Sequence, residues 1–186
     1  MLMDKNAKVL ITGGLYLKVW NIENQELIKD YGKVHEGWIR SMAITSNGEK
    51  LFTADDEGVM KQWDFVNHKL NCDYGQSHIG KIYRLQLSPD EDTIYSIGRD
   101  DKRLIEWSVK TGDIEQDFGR IHDAWMRSMV MIPDINFPGR NILMTGDSNG
   151  FLRETDSITG AVSKDYGTLH GKIHEGGITC IVPSLD

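Results

Sequence analysis

The chain has no long apolar run, few cysteines and no excess of positive charge. Its hydrophobic content is 39%, and no apolar stretch approaches the roughly 20 residues of a membrane-spanning helix. Cys72 and Cys180 form no CxxC pair, which argues against a disulfide framework or a zinc site. A net charge of -7 disfavours general nucleic-acid binding, because Lys and Arg must neutralise phosphates. We therefore expect a water-soluble, cytoplasmic protein with neither a membrane nor a nucleic acid as partner.

A sustained 3.6-residue apolar period is also absent, so no long amphipathic helix is predicted. An aromatic-Gly pair recurs instead, followed after two further residues by histidine. The aromatic residues are Tyr31, Tyr74, Phe118 and Tyr166, and the steps between them are 43, 44 and 48 residues. Tryptophan keeps the same spacing at positions 20, 63 and 107, with Thr155 where a fourth would fall. A period of this length indicates a repeat architecture.

A complete unit contains four short apolar runs separated by turn residues. In the unit 35–77 these runs cover residues 38–44, 50–54, 59–65 and 69–74, with Asn-Gly and Asp-rich turns between them. The pattern predicts a small four-stranded antiparallel sheet. Since such a sheet cannot bury both of its apolar faces alone, we expect neighbouring sheets to stack around an axis as the blades of a β-propeller.

The unit resembles the repeat of the WD-repeat β-propeller family. In that family a His before the first strand, a Ser or Thr in the second, an Asp in the next turn and a Trp in the third form a buried hydrogen-bonded set. The resemblance implies such a structural network at His35, Thr53, Asp56 and Trp63, at His78, Ser96, Asp101 (or its neighbour Asp100) and Trp107, at His122, Thr145 and Asp147, and at Trp20 and His174. Two positions depart from the pattern, because Ser108 replaces the Asp after Trp107 and Thr155 replaces a Trp.

These polar sets contain the residue types of a Ser-His-Asp catalytic triad. A catalyst needs one such constellation, whereas this one recurs in three units, so we interpret it as a rule of the fold and predict no enzyme. No cofactor or metal is predicted either. The pair His170 and His174 has a metal-binding spacing only on a helix, and the glycines beside it predict a loop.

The whole chain, 1–186, is predicted to be one all-β propeller domain with four blades. The units are 1–34 plus 174–186, 35–77, 78–121 and 122–173. The first unit has apolar runs at 8–12, 16–21 and 26–31 but lacks a first strand, and residues 177–183 are predicted to supply it as a clasp. Three arrangements remain open: a homodimer in which two chains exchange this strand and form an eight-bladed ring, a segment of a longer WD-repeat protein, and a closed four-bladed monomer.

The predicted function is that of a non-catalytic scaffold that binds a peptide or protein on one propeller face. Positions three and five residues beyond each histidine should lie on that face, and the partner-binding candidates are Trp38, Arg40, Lys81, Tyr83, Trp125 and Arg127. Packing of Trp38 and Trp125 between blades is the alternative for those two. A purely structural assembly component is the alternative function. Two insertions in the fourth unit, 133–140 and the residues after Gly167, are predicted loops that either form a binding edge or have drifted neutrally.

Overall fold

Four antiparallel sheets of four strands each make up the structure. The computed structural model describes residues 1–3, 8–134, 136–137 and 140–183. These residues form sixteen strands and one short helix, and within each sheet every strand pairs with the strand next to it along the chain. The predicted all-β fold with four blade-like sheets is therefore confirmed. No helix among the described residues has the length and hydropathy of a membrane span.

The four sheets follow one another along the chain. Sheet 1 comprises β1 (Leu2–Met3), β2 (Val9–Gly13), β3 (Leu17–Asn21) and β4 (Leu27–Gly32). Sheet 2 comprises β5 (Ile39–Ile44), β6 (Lys50–Asp55), β7 (Val59–Asp64) and β8 (Lys69–Gln76). Sheet 3 comprises β9 (Ile82–Leu87), β10 (Thr93–Gly98), β11 (Arg103–Ser108) and β12 (Ile114–Arg120). Sheet 4 comprises β13 (Met126–Pro133), β14 (Asn141–Asp147), β15 (Leu152–Asp156) and β16 (Val162–Asp165), and α1 (Tyr166–His170) follows it.

Both faces of the inner sheets are buried because the sheets stack on one another. Along β6, Leu51 belongs to the cluster shared with sheet 1, whereas the next residue, Phe52, belongs to the cluster shared with sheet 3. A third cluster, containing Ile97 of β10 and Leu143 of β14, joins sheets 3 and 4. The alternation of side chains along a strand thus places one apolar row in each interface. None of the three clusters joins sheet 4 to sheet 1.

The turn between β6 and β7 lies against the loop that leads into sheet 3. Gly58 has φ +85°, and a Cβ atom there would lie 2.1 Å from the carbonyl oxygen of His78. Glycine is required here because the close approach leaves no room for a Cβ atom, and it also adopts this backbone conformation without strain. This turn therefore sets the position at which the chain leaves sheet 2 and enters sheet 3.

The predicted clasp is wrong for the single chain. Leu2 and Met3 pair with Ile11 and Leu10, so β1 already lies on the inner edge of sheet 1. Residues 177–183 form no strand, and the N–H of Ile178 instead donates to the carbonyl of Asp147 in sheet 4. A segment that continues directly from the fourth unit meets the adjacent sheet 4 first, which accounts for its position.

The two insertions of the fourth unit differ from each other. After β16 the predicted loop is in part the short helix α1, which Gly171 closes by donating its N–H to the carbonyl of Gly167 at 2.8 Å. In the other insertion the N–H of Asp134 donates to the carbonyl of Arg140 at 2.9 Å and closes the loop. Residues 135, 138 and 139 of that loop lie outside the described part of the chain.

Candidate binding face

A buried hydrogen-bonded relay connects the strands of sheet 2. The Nδ1 atom of His35 lies 3.1 Å from Oδ2 of Asp55, and its Nε2 atom lies 2.7 Å from Oγ1 of Thr53. The indole Nε1–H of Trp63 donates to the same Oγ1 at 2.9 Å. Because an indole can only donate, the hydroxyl accepts from Trp63 and is free to donate to the imidazole. All the polar atoms are satisfied, and the relay is a structural device.

Sheet 3 repeats the relay with different residue types. His78 lies 2.9 Å from Asp101 and 2.8 Å from Ser96, and Trp107 donates to Ser96 at 2.9 Å. The hydroxyl of Ser96 makes the same hydrogen bond to its histidine as the hydroxyl of Thr53 does. The relay therefore tolerates either hydroxyl residue.

The outer sheets carry incomplete relays. In sheet 4, His122 lies 3.1 Å from Asp147 and 2.9 Å from Thr145, but the buried Oγ1 of Thr155 has no hydrogen-bond partner among the described residues. In sheet 1, Trp20 donates to Thr12 at 3.0 Å.

His174 was predicted to belong to a relay, and the structure corrects this. Its side chain is exposed. A relay histidine is buried against the second strand of its own sheet, as His35 is buried against β6. Residues 173–178 have no second strand of their own, so His174 has no relay to join.

The carboxylate of the sheet 2 relay belongs to Asp55, which corrects the prediction of Asp56. Asp55 ends β6 and points inward, where its Oδ1 also accepts the N–H groups of Glu57 and Val59 at 3.0 and 2.8 Å. Burial by itself would raise the pKa of Asp55, but the bonds from His35 and from these amides outweigh it and hold the pKa below its ordinary value. The Asp56 side chain instead lies at the surface.

Burial has the opposite effect on the relay histidine of sheet 4. It disfavours the charged imidazolium and lowers the pKa of His122, although the carboxylate of Asp147 partly opposes the shift. The His122 relay is therefore held with a neutral imidazole.

The first half of an exposed row lies at the turn end of sheet 2. Asp56 accepts the backbone N–H of Trp38 at 2.7 Å, and its other oxygen accepts from Arg40 at 2.7 Å. The guanidinium of Arg40 lies 6.0 Å from the centre of the Trp38 ring, at the limit of a cation–π contact. The Nζ atom of Lys81, at the start of sheet 3, lies 3.8 Å from Oδ2 of Asp56. The row thereby extends from sheet 2 to sheet 3.

The second half of the row runs from sheet 3 to sheet 4. The N–H of Lys81 donates to Asp100 at 3.3 Å, and Nε of Arg99 lies 3.9 Å from the other oxygen of that carboxylate. The guanidinium of Arg99 stacks over the ring of Trp125 at 4.1 Å. These seven residues, which we call the Trp–Arg row, thus link two tryptophans across three sheets through alternating charges.

The Trp–Arg row combines two exposed tryptophans with a local excess of positive charge. Trp38 is 55% exposed and Trp125 is 42% exposed, whereas Trp63 and Trp107 are buried. The row holds three cations against two carboxylates, although the chain as a whole has a net charge of -7. Because both carboxylates already accept hydrogen bonds, the row offers positive charge beside flat aromatic surface.

Two predicted partner-binding residues lie outside this row. Tyr83 is half-buried and packs against the cluster between sheets 3 and 4. Arg127 is also half-buried, and its Nε has no hydrogen-bond partner among the described residues. Sequence reasoning missed Arg99, Asp100 and the surface role of Asp56. The doubled aspartates of both turns were a usable signal, because one of each pair can enter the relay while the other faces solvent.

Comparison with protein families agrees with this arrangement. Residues 26–64 match the model of the WD domain, G-beta repeat. They are similar to that repeat. This confirms the resemblance inferred from the sequence, and the four sheets are consistent with the blades of a WD-repeat propeller. No curated protein matches the chain.

The residue after the tryptophan of the WD repeat has a local role. Asp64 accepts the backbone N–H of Asn67 at 2.9 Å and caps the turn after β7. At the equivalent position of sheet 3, Ser108 accepts the N–H of Thr111 at 3.4 Å. Since a hydroxyl can cap this turn as a carboxylate does, the departure from Asp at position 108 leaves the sheet intact.

Proposed function

We propose that this protein is a non-catalytic scaffold whose Trp–Arg row binds an acidic segment of a protein or peptide. The observation that supports it most is the exposure of Trp38 and Trp125 at the two ends of one connected row. Aromatic and Arg residues dominate the binding energy at protein interfaces. Trp63 and Trp107 are buried and Trp20 is half-buried, so Trp38 and Trp125 are the two tryptophans that are exposed.

The charges of the row favour a carboxylate-bearing ligand. Arg99 is held in place by stacking on Trp125, so little side-chain freedom is lost when its guanidinium binds a carboxylate. Arg40 and Lys81 share a single carboxylate, Asp56, and keep further donors available. An acidic segment with an apolar or aromatic side chain would complement both features.

Fluorescence anisotropy with three labelled peptides of equal length tests the proposal: one rich in Glu and Asp, one neutral and one rich in Lys, each with a central Phe. The acidic peptide should bind, and its affinity should fall as salt is raised. The double variant Trp38→Ala/Trp125→Ala should weaken binding by at least about tenfold, since a hot-spot residue contributes about 2 kcal/mol.

The matched control is Val66→Ala/Ile158→Ala, which removes exposed apolar side chains in turns after the third strand of their sheets. It should bind the acidic peptide as the wild type does. Equal binding of all three peptides, or wild-type binding by the double Trp variant, would remove the row as the binding site and favour a purely structural role.

A further inference from the structure

One rule of contact is repeated between sheets. An aromatic ring at the end of one sheet meets the tryptophan of the next sheet edge-on. Tyr31 and Trp63 have ring centres 5.7 Å apart at 72°, and Tyr74 and Trp107 have centres 5.6 Å apart at 85°. In both contacts the earlier sheet supplies a tyrosine from its fourth strand, which we call its leading side, and the later sheet supplies a tryptophan from its third strand, which we call its receiving side.

Sheet 4 carries the leading side of this contact. Tyr166 occupies the position of Tyr74, and the hydroxyls of both bond to the residue at the same place in the third strand. The Tyr74 hydroxyl donates to Gln62 at 2.7 Å, and the Tyr166 hydroxyl donates to Glu154 at 3.3 Å. The ring of Tyr166 is therefore anchored as the ring of Tyr74 is, in the position from which it could pack against the tryptophan of a following sheet.

Residues 173–178 follow the path by which a unit enters the next sheet. The N–H of Ile173 donates to the carbonyl of Gly150 at 3.1 Å, as the N–H of Ser77 donates to that of Gly58 at 2.9 Å. A Cβ atom on Gly150 would lie 2.0 Å from the carbonyl oxygen of His174, which reproduces the approach of His78 to Gly58. The segment after sheet 4 is thus placed as the beginning of a further sheet.

The junction between Ile178 and sheet 4 repeats the one between sheets 1 and 2. Ile178 donates its N–H to Asp147 at 2.9 Å, as Ile39, the first residue of β5, donates to Gly14 at 2.8 Å. Both isoleucines are buried at 7% exposure. Residues 178–183 are therefore in the position of a first strand without its second strand.

Sheet 1 carries the receiving side without a neighbour. Trp20 is half-buried, whereas Trp63 and Trp107 are 7% and 3% exposed. Leu10 and Ile22 lie beside Trp20 in an open apolar groove. Among the described residues, no aromatic ring from a preceding sheet packs on Trp20. Sheet 4 carries such a ring in Tyr166, and residues 173–178 carry the entering segment.

We propose that a second copy of this chain completes the contact, so that residues 178–183 of one copy become the first strand of sheet 1 in the other. Transferring the pairing of β5 with β6 places Val182 opposite Ile11 and Pro183 opposite Leu10. These are the two residues that Leu2 and Met3 pair with in the single chain. The longer segment displaces β1, and Tyr166 packs edge-on against Trp20 of the other copy.

The occupant is a second copy because this chain carries both complementary surfaces: Tyr166 with residues 173–183 beside sheet 4, and the groove beside Trp20 on sheet 1. None of the three buried clusters joins these two surfaces within the chain. A two-fold axis between the two copies forms this junction twice. The exchange also covers Thr12 and Gly13 of β2, with which β1 does not pair.

The experiment combines light scattering with a disulfide trap. The full chain should have a mass of about twice 21.1 kDa at micromolar concentration. Leu10→Cys/Pro183→Cys in a Cys72→Ser/Cys180→Ser background should give a dimer on oxidation that reductant reverses. The control pair Leu10→Cys/Val66→Cys should not, because Val66 lies in a turn after a third strand. A monomeric mass at all concentrations, or a disulfide within one chain, would overturn the proposal.

A third variant tests the aromatic contact. Tyr166→Ala should raise the dissociation constant of the dimer about tenfold, since each dimer contains two such ring pairs. Phe137→Ala, which removes an exposed ring elsewhere, should leave it unchanged. An unaltered constant for Tyr166→Ala would rule out the proposed packing.

Discussion

Replacing Thr155 by valine should make the protein more stable. Thr155 has no exposed surface, and its hydroxyl has no hydrogen-bond partner among the described residues. A buried unsatisfied polar group costs about 1–3 kcal/mol. Valine has nearly the same volume and no hydroxyl, so it opens no cavity. We expect the free energy of unfolding to rise by about 1–2 kcal/mol and the melting temperature by roughly 2–4 °C per kcal/mol in a chain of this length.

Urea unfolding followed by circular dichroism measures this change. Thr145→Val is the matched control, because the Thr145 hydroxyl is bonded to His122 at 2.9 Å. That substitution leaves the imidazole without its partner and should lower the unfolding free energy by about 1–3 kcal/mol. The two Thr→Val changes, in adjacent strands of one sheet, should thus have opposite signs. A loss of stability in Thr155→Val would show that its hydroxyl is bonded and refute the reasoning.

Two further predictions concern the relays. Asp55→Asn should lower the unfolding free energy by about 2–4 kcal/mol, because it breaks a buried pair. Asp56→Asn should lower it by less than about 1 kcal/mol. If urea midpoints rank the two variants the other way, Asp56 and not Asp55 belongs to the relay. Stability should also fall as pH decreases from about 6.5, because burial lowers the pKa of His122 and the unfolded chain then binds the proton more readily. Melting temperatures at pH 7.5 and 5.5 should therefore differ less in His122→Gln than in the wild type, and equal differences would contradict this.

Local signals sufficed for the four sheets. The predicted runs 50–54 and 59–65 correspond to β6 (Lys50–Asp55) and β7 (Val59–Asp64) within a residue at either end. Alternating apolar residues and turn-forming Gly, Asn and Asp act over a few positions, so they can be recognised without knowledge of the neighbouring sheets. The four aromatic-Gly pairs supplied the number of sheets for the same reason.

Other features depend on residues that are far apart in the sequence, and only the tertiary structure decided them. Both Asp55 and Asp56 suit the relay by residue type, and the end of β6 alone decides which of them points inward. The stacking of Arg99 on Trp125 joins residues of different sheets, so no local pattern could reveal it. Residues 177–183 resemble a first strand in sequence, but a strand also requires a partner edge. In the single chain that edge is taken by β1, and the segment packs on sheet 4 instead.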